Sequence, residues 1–187
     1  MPASFSPGPL PGLVIVQPRV FPDGRGAFFE TYKHSEYAAN GIAEQFVQDN
    51  HSVSSRGVLR GLHFQTSPHA QGKLVRVVAG AVWDVAADLR PGSATYGQWY
   101  GLELSAENRV QFYLPPGFAH GFLTLSDTAE FLYKCTAEYD KASESGIRWD
   151  DPILAIRWPS LGGKPMVSEK DALLPFLSKP VASEVLH

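Results

Sequence analysis

The fold is decided by the stretch Leu74-Val75-Arg76-Val77-Val78-Ala79-Gly80-Ala81-Val82-Trp83-Asp84-Val85-Ala86-Ala87-Asp88-Leu89. Leu74–Val78 and Ala81–Leu89 read as strands, rich in Val and flanking Ala79-Gly80, a tight-turn signal. Further strand-like runs follow at close spacing: Gln98–Leu104, Val110–Leu114, His120–Leu125 and Thr128–Cys135. Turn signals separate them, at Arg90-Pro91-Gly92-Ser93, Ser105–Asn108 and Pro115-Pro116-Gly117. Many short strands with little helix between them predict an antiparallel sandwich or barrel. Two short helices are expected outside it. His34–Asn40 stops at Gly41, and Ser168-Glu169-Lys170-Asp171 caps a turn running towards Leu174. The first dozen residues and the last ten or so read as loosely held.

The chain has 187 residues, 44% of them hydrophobic, which suits one domain with a sizeable core and excludes global disorder. With 16 Lys+Arg against 19 Asp+Glu, the net charge of −3 gives no general attraction to nucleic acid or anionic membrane. Cys135 is the single cysteine, so no internal disulfide forms; it reads as a small core residue in a reducing compartment. There is no basic stretch followed by an apolar core at the N-terminus, and no apolar run of the roughly 20 residues that span a bilayer. A cytoplasmic protein is expected.

Working outward from the central strands, several polar groups sit where strands do not need them. Gly57-Val58-Leu59-Arg60-Gly61-Leu62-His63-Phe64-Gln65 is strand-like and carries Arg60 and His63. Strict alternation puts those two on opposite faces. They share a cavity only if a bulge intervenes, and Gly61 offers the place for one. Lys73 precedes the first central strand, Asp84 and Asp88 lie in the second, and His120 follows the Pro-Pro-Gly turn. Cross-strand pairing or solvent exposure accounts equally well for Asp84, Asp88 and Arg76. A lone buried histidine is commonly a hydrogen-bonded core residue.

Small β-barrels often hold metal on two closely spaced histidines and a carboxylate. Here the sequence at that place is His63-Phe64-Gln65, with no second histidine, no cysteine cluster and no His-Glu-x-x-His. No metal is expected. A P-loop and a strand–GxGxxG–helix unit are also missing, so any phosphate must be held by Arg and Lys side chains.

Taken together the segments resemble the dTDP-4-dehydrorhamnose 3,5-epimerases and related dTDP-sugar epimerases. The resemblance runs through Phe21–Glu30 (FPDGRGAFFE), Gln48-Asp49-Asn50, Gly57–Gln65 (GVLRGLHFQ) and Gln71–Arg90. It continues through Leu114–Ser126 (LPPGFAHGFLTLS), Phe131–Lys134, Gly146–Pro152 (GIRWDDP) and Ser168–Asp171. It implies a cupin-type antiparallel jelly-roll barrel with short peripheral helices and a homodimer with an exchanged N-terminal strand. It also implies no cofactor and a dTDP-6-deoxy-4-keto-hexose inverted at C3 and C5.

By that resemblance His63 is the base, Asp171 orients it, Tyr133 is the acid on the opposite face, and Lys73 stabilises the enolate oxygen. An imidazole suits the first role because it titrates near neutral pH. Taken alone, Asp171 reads as part of the helix cap, Tyr133 as a core aromatic and Lys73 as a solvated strand end. Arg60, Arg25 and Lys170 match positions near the diphosphate or the neighbouring substrate. Glu30, Gln48, Asp49, Asn50, His120 and Glu144 match the substrate pocket, and Phe21 and Tyr139 match thymine-stacking positions, Phe21 from the partner subunit. One departure concerns the segment after Tyr133. Family members often carry two adjacent aromatics there, whereas Ala137–Glu144 has Tyr139 alone. A relative inverting one carbon, a 3- or 5-mono-epimerase, is the alternative within the class. A non-catalytic carbohydrate-binding jelly roll is the alternative outside it.

Overall fold

The computed structural model describes residues 3–177. In chain order the elements are β1 (Ser4–Pro7), β2 (Val14–Gln17), β3 (Phe21–Asp23), β4 (Gly26–Phe28), α1 (His34–Ala39), β5 (Gln48–Ser55), β6 (Leu59–Gln65) and β7 (Lys73–Ala79). They continue with β8 (Ala81–Asp88), β9 (Trp99–Ser105), β10 (Gln111–Leu114), β11 (Phe118–Thr124), β12 (Thr128–Cys135), β13 (Glu144–Gly146) and α2 (Glu169–Ala172).

The strands form two facing antiparallel sheets and a small ribbon. The first sheet runs β1-β2-β10-β7-β12-β5, the second β13-β6-β11-β8-β9, and β3 pairs with β4. From β5 to β12 the chain changes sheet at every connection except β8 to β9. That alternation is the double-sheet jelly roll. Among the described residues no strand pairing joins the two sheets, so the barrel is a flattened sandwich rather than a closed cylinder.

Ala79-Gly80 is indeed a tight turn, but it does not close a hairpin. It carries the chain from β7 in one sheet to β8 in the other. Gly80 has φ +74, and a Cβ there would lie 2.1 Å from the Thr128 carbonyl oxygen. Only glycine lets the corner turn so close to the start of β12.

The inward faces pack Val75, Val77, Val82, Ala86, Leu104, Phe112, Phe122 and Phe131 into the main core. The outer faces are covered too. Val85 and Ala87 lie under Ile147, Leu154 and Leu177, while Leu74 and Tyr113 lie under Tyr37 of α1 and Ile42. Cover on both faces explains why β8 reads as a near-continuous apolar run instead of an alternating one.

The N-terminal expectation needs correction. Ser4–Pro7 pairs with Val14–Gln17 in register, and Leu10 and Leu13 are buried in the main core. Strand pairing and two buried leucines hold that end. The last ten residues lie outside the described residues.

Candidate active site

A cavity of about 550 Å³ opens between the sheets. Its wall takes Arg60 and His63 from β6, Lys73 from β7, His120 and Phe122 from β11, Phe131 and Tyr133 from β12, and Lys170 and Asp171 from α2.

Arg60 and His63 share it because β6 carries an extra residue. On β11, His120 pairs with His63 and Phe122 with Arg60, so two steps on one strand match three on the other. The surplus lies at Gly61-Leu62, where Gly61 has φ +120. A Cβ on Gly61 would stand 2.6 Å from the Gly121 Cα, so the two strands touch through glycine. The bulge changes the parity of the strand and turns both side chains to one side. Leu62 takes the outward place and is fully buried in the second cluster.

Asp171 Oδ1 stands 2.7 Å from His63 Nε2, and its Oδ2 accepts from the Gly61 backbone N–H at 3.1 Å. A carboxylate only accepts, so Nε2 carries the proton and Nδ1 is the nitrogen left to take one. Ser168 caps α2 by accepting from the Asp171 backbone N–H at 3.0 Å. The cap reading was therefore right about the helix and wrong about the carboxylate, which reaches across to β6. Burial pushes the Asp171 carboxyl up, but His63, Gly61 and Ser168 outweigh it and hold it below the usual aspartate value.

Lys73 is not a solvated strand end. It is buried, and its Nζ donates to the His63 carbonyl oxygen at 3.3 Å. Burial lowers its ammonium pKa, against the pull of Cys135, Asp84 and Glu144. Burial raises the Tyr133 phenol, with Cys135 acting the same way and Arg60 opposing. Burial thus keeps the Tyr133 phenol protonated at neutral pH and works against the charge on Lys73.

A second recess of about 180 Å³ adjoins the first, and the residues common to both are His63, Lys73 and Tyr133. It gathers Gln48, Asn50, Tyr139 and Glu144. Glu144 accepts from the Tyr139 hydroxyl at 3.0 Å and pairs with Lys170 at 2.5 Å. Tyr139 is 54% exposed, and its backbone N–H donates to Gln48 Oε1 at 2.7 Å. Gln65, at the place of the missing histidine, is occupied structurally. Its Nε2 donates to the His69 and Glu138 carbonyls, and its Oε1 accepts from the Asp140 N–H. Among the described residues no three His, Cys, Asp or Glu side chains gather to hold a metal.

His120 forms a second pair, its Nε2 2.9 Å from Asp84 Oδ2. So Asp84 does pair across strands, while Asp88 turns back to Arg90, Ser93 and Thr95 of its own loop. Neither carboxylate faces solvent, and both are fully buried. Arg60 donates to Ser54 Oγ and the Val53 carbonyl at the cavity rim.

Four expected residues lie elsewhere. Asp49 faces away on β5 and pairs with Lys134 at 2.9 Å. Phe21 and Arg25 lie on the β3–β4 ribbon, where Arg25 pairs with Asp23, and Glu30 is exposed beyond it. Sequence reading missed the aromatic floor, in which Phe131 stacks on Phe122 at 4.3 Å and on His120 at 5.9 Å. The Ser168 cap, read from the Ser-x-x-Asp spacing, is borne out, and the same turn carries the reaching carboxylate of Asp171.

Fold and cleft together define a jelly-roll protein with a histidine–aspartate pair, a tyrosine and a buried lysine around one cavity. A family model described as dTDP-4-dehydrorhamnose 3,5-epimerase matches residues 7–179, and the chain belongs to that family. A curated relative of that name from Salmonella typhimurium is 51% identical over 176 residues, 94% of this chain and 96% of the relative. One from Pseudomonas aeruginosa is 55% identical over 163 residues, 87% and 89% of the two chains. The crystal structure of a dTDP-6-deoxy-D-glucose-3,5-epimerase from Legionella pneumophila, in complex with dTDP-4-keto-L-rhamnose, matches with a TM-score of 0.89 and 49% identity. The match covers 93% of this chain and 92% of that one.

Proposed function

We propose that the chain is a dTDP-4-dehydrorhamnose 3,5-epimerase, converting dTDP-4-dehydro-6-deoxy-D-glucose to dTDP-4-dehydro-L-rhamnose. The observation that carries the mechanism is that His63, Lys73 and Tyr133 are the residues common to the cavity and its neighbouring recess. A sugar spanning the two puts its reacting carbons among a base, an acid and a cation.

The C4 ketone acidifies the protons on C3 and C5. His63 Nδ1 removes one, with Nε2–H held by Asp171. The electron pair moves onto the ketone oxygen, where the Lys73 ammonium stabilises the enolate; one such donor contributes about 10²–10³ in rate. Tyr133 returns a proton from the opposite face, and the centre inverts. Once His63 has passed its proton to solvent and Tyr133 has taken one back, the same cycle at the other carbon completes the reaction. No electron is gained or lost, so the scheme calls for no redox cofactor.

Arg60 and Lys170 are assigned to the diphosphate, and Tyr139 to the thymine. Gln48, Asn50, Glu144 and His120 line the path between. Phe21, Arg25 and Glu30 are assigned to the cleft of a second copy in a homodimer. Support comes from the exposed ribbon that carries the first two, with Phe28 on it 68% exposed. The whole chain is taken as a single domain. The cytoplasm is its proposed compartment, consistent with the lone buried Cys135 and with no described helix long and apolar enough to cross a membrane.

The test is NMR of dTDP-4-keto-6-deoxy-glucose with the protein in deuterium oxide. Deuterium at both C3 and C5 is expected. Label at one carbon only would replace this reading with a mono-epimerase, and no label would leave a carbohydrate-binding module.

A further inference from the structure

Asp171 acts on His63 from α2 (Glu169–Ala172), and a helix of 4 residues does not hold itself in place. The chain on either side must fix it. On the N-terminal side the Met166 backbone is tied to the start of β6. Its N–H donates to the Gly57 carbonyl at 2.8 Å, and its carbonyl accepts from the Leu59 N–H at 2.9 Å. On the C-terminal side Leu173 and Phe176 are exposed and bury little. Leu174 rests on β13, where a Cβ on Gly146 would stand 2.7 Å from its Cδ1. The polar ties come at the end of the run. There the Arg148 N–H donates to the Pro175 carbonyl at 3.0 Å, and the Leu177 N–H donates to Asp151 Oδ2 at 2.6 Å.

Asp151 lines neither the cavity nor its neighbouring recess, yet it is a buried carboxylate whose two oxygens both serve backbone N–H groups. Oδ1 accepts from Ile153 and Leu154 at 2.8 Å each, and Oδ2 accepts from Leu177. Leu154 and Leu177 are buried in one apolar cluster, so the carboxylate bridges two backbone segments there. Hydrogen bonds to an ionised acceptor are the stronger kind. A carboxylate suits this place because it accepts on both oxygens, whereas an amide accepts on one only. A buried charge outside the cleft thus fixes the segment that leaves α2.

We propose that Asp151 is a positioning residue for the reaction: it anchors the segment after α2 and so holds the Asp171 carboxylate on His63. This rests on the epimerase reading and its assignment of His63 as the base. With the anchor cut, α2 keeps its tie at Met166 but loses the far one, and Asp171 drifts from the imidazole it orients.

The test is a double-mutant cycle on kcat with dTDP-4-keto-6-deoxy-glucose, each protein being assayed below its unfolding temperature. Asp151→Asn keeps one oxygen for the Ile153 and Leu154 N–H groups and turns an NH2 donor towards the Leu177 N–H. It therefore cuts the tie to the segment and spares the turn. A fall in kcat of about 10-fold is expected, within the roughly 10²-fold that misplacing a catalytic group by an ångström can cost. In the Asp171→Asn background no carboxylate remains to be aimed, and the same substitution is expected to change kcat by less than about 2-fold. Leu174→Ala loosens the same segment without touching Asp151. It is expected to show the same pattern, and it carries the test if Asp151→Asn does not fold. An unchanged kcat in the first background, or equal fold-losses in both, overturns the proposal while the epimerase reading stands. Absence of turnover by the unmodified chain overturns both.

Discussion

Two histidine–aspartate pairs border one cleft, and they differ in almost everything except their length. His63–Asp171 spans 2.7 Å and His120–Asp84 spans 2.9 Å. The His63 side chain is 34% exposed, and that of His120 is 8%. Asp171 has both oxygens engaged, by His63 and by the Gly61 N–H. Asp84 has Oδ1 unpartnered among the described residues, and its histidine stacks on Phe131. The pair that meets the ligand space is thus the one whose carboxylate is fully satisfied from behind. A base must present one nitrogen while the other is fixed, and only His63 does so from an open wall. His120 is held in the floor, suited to shaping the cavity or donating to a bound group.

Substitutions break that comparison most sharply at the bases. His63→Ala is expected to lower kcat by about 10³- to 10⁴-fold, the upper part of what a positioned proton-transfer group contributes. Lys73→Met is expected to follow at about 10²- to 10³-fold in kcat, with a smaller change in KM.

Asp88 offers a control, a buried carboxylate with no ligand to meet. Burial pushes its carboxyl up, but hydrogen bonds from Arg90, Thr95 and Ser93 prevail and hold it below the usual aspartate value. Folding therefore favours its charged form. That stabilisation is present above the ordinary aspartate pKa of about 4 and is lost as pH falls below it. Asp88→Ala is expected to destabilise the fold by about 3 kcal/mol at pH 7, read by urea unfolding, with kcat of the folded fraction unchanged. The difference between the two proteins shrinks by pH 3.

Asp171→Asn is expected to reduce kcat by about 10²-fold, while His120→Gln, which keeps a donor for Asp84, loses about 10-fold or less. Equal losses from the two would erase the distinction between the pairs. The smallest effect is on pH dependence. Lys73 is lowered and Tyr133 raised, both chiefly by burial. The alkaline limb of kcat/KM then belongs to Lys73 and falls below an ordinary lysine value. It persists in the residual activity of Tyr133→Phe; its disappearance there would assign it to the phenol.

Much of this was legible in the sequence, and what was not has physical reasons. The run Thr128–Cys135 reads as a strand and is one, with identical ends. The corner at Ala79-Gly80 reads like a hairpin because the local chemistry of a tight turn does not say which sheet the next strand joins. Strand β5 escaped because Gln48, Asn50, Ser52 and Ser54 make its inward face polar; the first three line a ligand space and Ser54 holds Arg60, so none of them packs as core. His63, Asp171, Tyr133 and Lys73 fall in one cleft, and Arg60 joins them although strict alternation puts it and His63 on opposite faces of β6. Phe21, Arg25 and Glu30 do not reach that cleft, because the β3–β4 ribbon and the residues after it stand away from the wall that β6, β7, β11 and β12 form.

The surplus residue in β6 has a consequence for anyone transplanting this cleft onto another sandwich. What must be carried over is an odd count, not a set of side chains. Delete one position between Arg60 and His63 and every atom of the histidine remains in the sequence, but its ring swings out towards Ile147 and Leu154, on the far side of the strand from Asp171. A graft that copies the identities and straightens the strand would build a stable wall with its base on the wrong side.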